Sequence, residues 1–248
     1  MIPMLKLPSL AFVALLASGC TSTQLTQVMQ EANAVVNGEN AQPALTNADV
    51  VAGLKEALTK GAELSVGMAS ATDGFWKSGR LRIPFPPDAI KVKSTLTDIG
   101  MGAQVEKFEL TMNRAAENAA KEAVPVFVNA IKGMTVADGF AILKGGDHAA
   151  TDFLREKTTA ELTAKFRPIV ENATKQVALT NYWTPLSKAY NSATLLTGGQ
   201  AVNPDLDAYV TQQAISGLFI LVADEELKIR KDPLARTTDL LRRVFGAQ

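Results

Sequence analysis

The stretch FELTMNRAAENAAKEAVPVFVNAIKGMTVADGFAILKGGDHAATDFLR, running from Phe108 to Arg155, decides the fold. Its apolar residues recur every three or four positions, and Pro125, Gly133 and the pair Gly145-Gly146 interrupt them. This is the pattern of three or four short helices in succession. The first of them begins near Ala103 and places Val105, Phe108, Met112, Ala115, Ala116, Ala119 and Ala123 on one side. An alanine seam of this kind lets a neighbouring helix approach closely. On the same wheel Glu109 falls inside the apolar arc and Asn113 on its border, so both are expected to be buried and to need partners. Arg114 falls on the far side. Pro125 starts a short helix, and Thr135-Val136-Ala137-Asp138 is a capping box that opens the next. After Gly145 and Gly146, Asp147 is expected to cap a helix carrying His148, the sole histidine, with Asp152 and Arg155. A further capping box, Thr158 to Glu161, is expected to open a long helix with Leu162, Phe166 and Ile169, bent near Pro168.

Upstream, Thr46-Asn47-Ala48-Asp49 opens a helix running to about Ala69, with Val51, Leu54, Leu58, Ala62 and Val66 on one face and Leu64 close by. The segment DGFWKSGRLRIPFPPD, residues 73–88, alternates apolar and basic residues. It reads as extended, with at most one short β-hairpin near residues 75–85 turning at Ser78-Gly79. Lys77, Arg80, Arg82, Lys91 and Lys93 make it locally basic, as either a solvated loop or a contact for anionic lipid or polysaccharide.

Downstream, Tyr182, Trp183 and Tyr190 belong to a short helix followed by a Gly198-Gly199 loop, and residues 205–231 form the most apolar helix, with ISGLFILVA at Ile215 to Ala223. Such a run belongs at the centre of a core, and nine residues are too few to cross a bilayer. Asp232-Pro233 is expected to start the last helix, which Gly246 ends. The fold class is therefore all-α: a single irregular multi-helix bundle domain over residues 46–248.

The chain has 248 residues, with 25 basic and 25 acidic side chains. That balance supplies no field for nucleic acid, and no nucleic-acid partner is expected. Residues 1–20, MIPMLKLPSLAFVALLASGC, carry one charge, a short apolar run and small residues ending at the lone cysteine, Cys20. This reads as a secretory signal peptide over residues 1–19. Leu16-Ala17-Ser18-Gly19-Cys20 resembles a bacterial lipobox, which implies cleavage after Gly19 and lipidation, palmitate included, of Cys20. Ala17 stands where the lipobox usually has leucine. Thr21 in place of aspartate, by resemblance to Gram-negative sorting rules, implies an outer-membrane lipid anchor facing the periplasm. Several acyl chains on one cysteine make a stable anchor without a protein helix in the bilayer. Residues 20–45 are polar and small, and read as a flexible tether about 25–30 Å across.

Several motifs occur in order between Leu45 and Gly246: LTNADVVAGLKEALTKGAE, DGFW, IPFPPD, FELTMNRAAENAA, GGDHAATDFLR and GLFILVADEELKIRKDPLARTTDLLRRVFG. Together with the lipoprotein signal they resemble a bacterial lipoprotein family of unknown function, domain-of-unknown-function family four-one-nine-seven. The resemblance implies location and fold and carries no assigned activity.

Two groups of residues are candidates for a site. Glu109, Asn113, Arg114 and Glu117 on one helix, with Glu225, Glu226, Arg230 and Arg236 on another, would form a polar network or cleft if the two helices pack. The helix-terminus group Gly145, Gly146, Asp147, His148 and Asp152 offers free amides and three polar side chains. One histidine and no free cysteine are too few for a transition-metal site, and no phosphate-loop, dinucleotide or nucleophile-elbow pattern is present, so no metal and no cofactor is expected. Three functions are compatible with this chain. It is a non-enzymatic envelope module that binds a protein partner or an anionic envelope component, an envelope hydrolase using these carboxylates with support from His148, or a carrier of an apolar ligand between the alanine-seamed helix and Ile215 to Ala223.

Overall fold

A computed structural model describes residues 45–176, 183–185, 187–192, 201–203, 205–232, 235–236 and 238–246. Residues 1–44, with the expected signal peptide, Cys20 and all but the last residue of the expected tether, lie outside the described residues, as do Tyr182 and Gly198-Gly199. The described chain is all-α: α1 Asn47–Ser70, α2 Ile90–Leu96, α3 Gly102–Ala120, α4 Ala123–Lys132, α5 Val136–Lys144, α6 Ala149–Lys175, α7 Leu206–Lys231 and α8 Asp239–Gly246. Helical pieces at 183–185 and 187–192 lie between α6 and α7.

Helices α1 and α5 start where their capping boxes stand. The amide of Asp49 donates to the Thr46 hydroxyl at 3.1 Å and the Thr46 amide returns to the Asp49 carboxylate at 3.0 Å. Thr135 and Asp138 repeat this geometry. Each box satisfies amides that a helix end leaves without intrahelical partners. Thr158 behaves differently from the sequence expectation. It lies in the middle of α6, nearly fully buried, and its hydroxyl donates to the Leu154 carbonyl at 2.6 Å. A threonine three residues before a glutamate is compatible with either place, because inside a helix the hydroxyl turns back to the carbonyl four residues earlier. The last helix also starts later than Asp232-Pro233, at Asp239.

Helix α7 is the centre of the domain and packs on α6, α1 and α3. Val210, Ala214, Leu218 and Phe219 are fully buried along it. At 26 residues it is, by length and composition, apolar enough to cross a bilayer, although its apolar run alone is short. Half of its most apolar window is nevertheless buried against the other helices, the environment of a core helix. Helix α1 meets its neighbours with a stripe of small buried residues four apart: Gly53, Ala57, Gly61 and Ser65. A Cβ at Gly53 would stand 3.0 Å from Leu240 of α8, and one at Gly61 would touch Glu225 of α7, so the stripe sets how closely both helices lie. Leu64 points away from this face and is 55% exposed.

Among the described residues there is no strand. Residues 71–86 form successive turns: the Ser78 hydroxyl accepts from the amides of Arg80 and Leu81, and the Arg82 amide donates to the Ser78 carbonyl. Pro84, Pro86 and Pro87 supply no amide for a ladder. The alternation read from sequence is real, and it buries Leu81, Ile83 and Phe85 under the segment while Arg80, Arg82 and Pro84 stay exposed. Phe85 sits edge-on to Phe108 at 5.9 Å and to Trp183 at 5.6 Å, which fastens the segment to the core.

Phe75 at the start of this segment lies against Gly217 of α7. A Cβ there would come within 2.7 Å of the Phe75 ring, and Phe75 is fully buried. Gly217→Ala is therefore expected to destabilise the domain by about 1–3 kcal/mol through overpacking, more than its helix propensity returns. Urea unfolding measures it, and an unchanged midpoint would show that the ring has room to move.

Candidate functional site

The residues singled out from sequence are placed in two separate sets, each with its own partners. On α3, Glu109, Asn113 and Glu117 lie one helical turn apart and face the segment 71–93 rather than the carboxylates of α7. Glu109 is paired with Lys93 and, at 3.3 Å, with Arg82. Asn113 is completely buried: its Oδ1 accepts from the Ile83 amide at 2.8 Å, and its Nδ2 donates to the carbonyls of Ile83 and Glu109. Glu117 accepts from the amides of Phe75 and Trp76 at 3.1 and 3.2 Å. Its other oxygen receives Arg114 at 2.7 Å.

Arg114 is half-buried and turns back to bridge Glu117 and Asp73, the latter at 2.6 Å. Hydrogen bonds from Lys77 and then Arg114 hold the Asp73 carboxyl below the usual carboxylate range, and Glu117 followed by Asp73 raises the Arg114 guanidinium. Asp73 itself has φ +70°, a left-handed turn position that aspartate tolerates better than most side chains. The basic segment is thus largely neutralised from within. Lys77 pairs with Asp73, Arg80 with Asp224, Lys93 with Glu109, and Arg82 lies 4.0 Å over the Trp76 ring.

The second set surrounds the start of α6. Glu226 accepts from the amides of Ala150 and Thr151 at 3.0 and 2.8 Å and from the Thr151 hydroxyl at 2.7 Å. It is also clamped by Arg230 at 2.8 Å. Arg230 donates onward to the Ile142 carbonyl, Arg236 donates to the carbonyls of Ile229 and Arg230, and Glu225 is held by Lys228. The cap of α6 is therefore not Asp147. His148 is the N-cap residue and makes no capping bond through its side chain, while Asp147 pairs with Lys231 at 2.8 Å, which depresses its pKa. Asp152 is exposed. A Cβ at Gly145 would meet that of Ala149 at 2.5 Å, so the glycine there serves the tight passage from α5 into α6. Among the described residues no three of His, Cys, Asp and Glu come close enough to hold a metal ion.

A third place was missed from sequence. Residues Arg155, Thr159, Thr163 and Arg167 stand four apart on α6, and Ala208, Thr211, Gln212, Ile215 and Ser216 face them from α7. Between the two rows is a cleft of about 250 Å³. The four-residue spacing of hydroxyls and arginines is visible in the chain, but it looks like any solvated helix face until the opposing row of small residues is known.

These features define an all-α domain whose internal carboxylates tie loops and helix ends to the core. The chain belongs to the family described as "Protein of unknown function (DUF4197)", which matches residues 44–246. No curated protein and no solved structure matches the chain significantly.

Proposed function

We propose that this chain is a lipid-anchored envelope protein, facing the periplasm from the outer membrane, whose helical domain is a non-enzymatic binding module. The anchor rests on the sequence around Cys20, and the observation that supports a binding module over an enzyme is a contrast in pairing. The carboxylates that acid-base chemistry would need, Glu109, Glu117, Glu225 and Glu226, are each engaged by cations, and Glu117 and Glu226 also by backbone amides. On the α6–α7 cleft, by contrast, Arg155, Thr159, Thr163 and Gln212 are exposed to solvent, where their side chains can meet a ligand.

A hydrolase built on the α3 carboxylates would have to release one of them from two cations or from a buried loop. Between α3 and α7 an apolar carrier finds little room. Met112, Ala115 and Ala119 of α3 and Leu218, Phe219 and Val222 of α7 are all buried in the core, and the apolar crevice beside Leu54 and Ile142 has about 10 Å³, the space of one water.

The anchor is tested by expressing the chain and Cys20→Ala in a Gram-negative host. The wild type should fractionate with the outer membrane and yield an acylated amino-terminal Cys20 peptide by mass spectrometry, and Cys20→Ala should lose both. A wild-type chain with an unmodified thiol and Met1 intact would overturn the reading.

A further inference from the structure

The cleft between α6 and α7 is lined by one buried polar group that the interior does not satisfy. Thr211 is 2% exposed, and among the described residues its hydroxyl has no hydrogen-bond partner. A buried hydroxyl without a partner is costly, and Thr211 lines the cleft, so a ligand group that reaches it there would remove that cost. Arg155 has no carboxylate partner among the described residues. Its guanidinium carbon lies 4.6 Å from the centre of the Phe219 ring, a contact that holds it at one end of the groove. Arg167 stands twelve residues further along α6, about 18 Å by helical rise. It is held by Asp205 at 2.7 Å, which raises its pKa and keeps it charged.

Between the two arginines, the hydroxyls of Thr159 and Thr163 donate to the carbonyls four residues earlier at 2.6 and 2.8 Å. With their protons so committed, their oxygens remain available as acceptors. No carboxylate lines the cleft. One guanidinium without a carboxylate, the two threonine acceptors, the Gln212 amide and the orphaned Thr211 hydroxyl match a molecule that carries both an acid group and hydroxyls.

We propose that this cleft binds a small hydroxylated organic anion, with its carboxylate or phosphate on Arg155 and its hydroxyls on Thr159, Thr163, Thr211 and Gln212. A volume of about 250 Å³ lies just under the ~300 Å³ at which drug-sized sites begin, so the bound unit is no larger than a small polar molecule. The shared chemistry covers a free sugar acid or sugar phosphate and the acidic unit of an envelope glycan. The proposal rests on the binding reading above and gives it a ligand class.

The test is calorimetric titration of the full chain in detergent with glucuronate, glucose 6-phosphate and glucose. Both anions should bind saturably with Kd below about 1 mM. Glucose, which lacks the acid group, should bind at least tenfold more weakly. Arg155→Ala should weaken both anions at least tenfold. Thr211→Val should weaken them about threefold or more while the thermal midpoint stays level or rises, because a methyl replaces a hydroxyl with no internal partner. A purely packing role for Thr211 would leave affinity unchanged. A uronate-bearing oligosaccharide that competes better than glucuronate identifies a glycan as the source, and the reverse order identifies a free anion. No saturable binding of either anion, equal binding of glucose, or affinities untouched by both substitutions would overturn the proposal. Such a failure would leave the Cys20 anchor standing, whereas chemical turnover of a bound probe would remove the non-enzymatic reading and leave the cleft in place.

Discussion

Glu226→Ala is expected to lower the stability of the helical domain by about 3–5 kcal/mol, the usual loss when one member of a buried, hydrogen-bonded ion pair is removed. Glu226 is 6% exposed and is the N-terminal cap of α6, delivered from 75 residues away in sequence. Its removal strands the amides of Ala150 and Thr151, frees the Thr151 hydroxyl, and leaves Arg230 charged in a half-buried place. It also takes a negative charge from the positive end of a 27-residue helix. Glu226→Gln keeps the shape and part of the amide bonding, and should lose about half as much. Urea unfolding of both variants measures the difference. Arg230→Leu added to Glu226→Ala should recover part of the loss, since the second substitution removes the uncompensated charge. A loss under 1 kcal/mol for Glu226→Ala would mean that α6 begins without this carboxylate.

Asn113→Ala is expected to cost about 3 kcal/mol by a different route, since no charge is involved. The Asn113 amide bonds both backbone groups of Ile83, and Ile83 is 1% exposed, so water cannot take over. Two stranded backbone groups at roughly 1–3 kcal/mol each account for the figure. Hydrogen exchange supplies the specific signature: protection of the Ile83 amide should fall well beyond the general loss of stability, with Leu81 and Phe85 affected next. Asn113→Asp keeps the acceptor for the Ile83 amide but loses the donor to its carbonyl and places a second carboxylate beside Glu109. It should be no better than alanine. Unchanged protection at Ile83 in both variants would show that the segment is held by its aromatic contacts alone.

Both predictions concern groups whose importance was legible in the sequence and whose partners were not. The helical wheel of α3 put Glu109 and Asn113 at the apolar face, and both are buried. It assigned Arg114 to the far side, yet a long flexible side chain reaches from there to Glu117 and Asp73. A wheel fixes the direction of a Cβ and says nothing of where five further atoms lead. The same holds for Glu225, Glu226 and Arg230, which carry the spacing of intrahelical pairs. Two of these pairs form, Lys228 with Glu225 and Arg230 with Glu226, but the amides of α6 that share Glu226 have no counterpart in the local pattern.

The amino-acid sequence by itself determined the helical class, the positions of α1, α3, α5 and α7, two capping boxes and the family, because those depend on contacts within a few residues and on the helical period. Tertiary structure alone decided that residues 71–86 form pinned turns and not a hairpin, that α6 starts at Ala149 under a glutamate from α7, and that a cleft opens beside Thr211. Each of these depends on which distant surface a carboxylate, an amide or a hydroxyl meets after packing. Charges and hydrogen-bond donors are interchangeable along a chain, and only their final separation, a matter of ångströms, selects one partner among many.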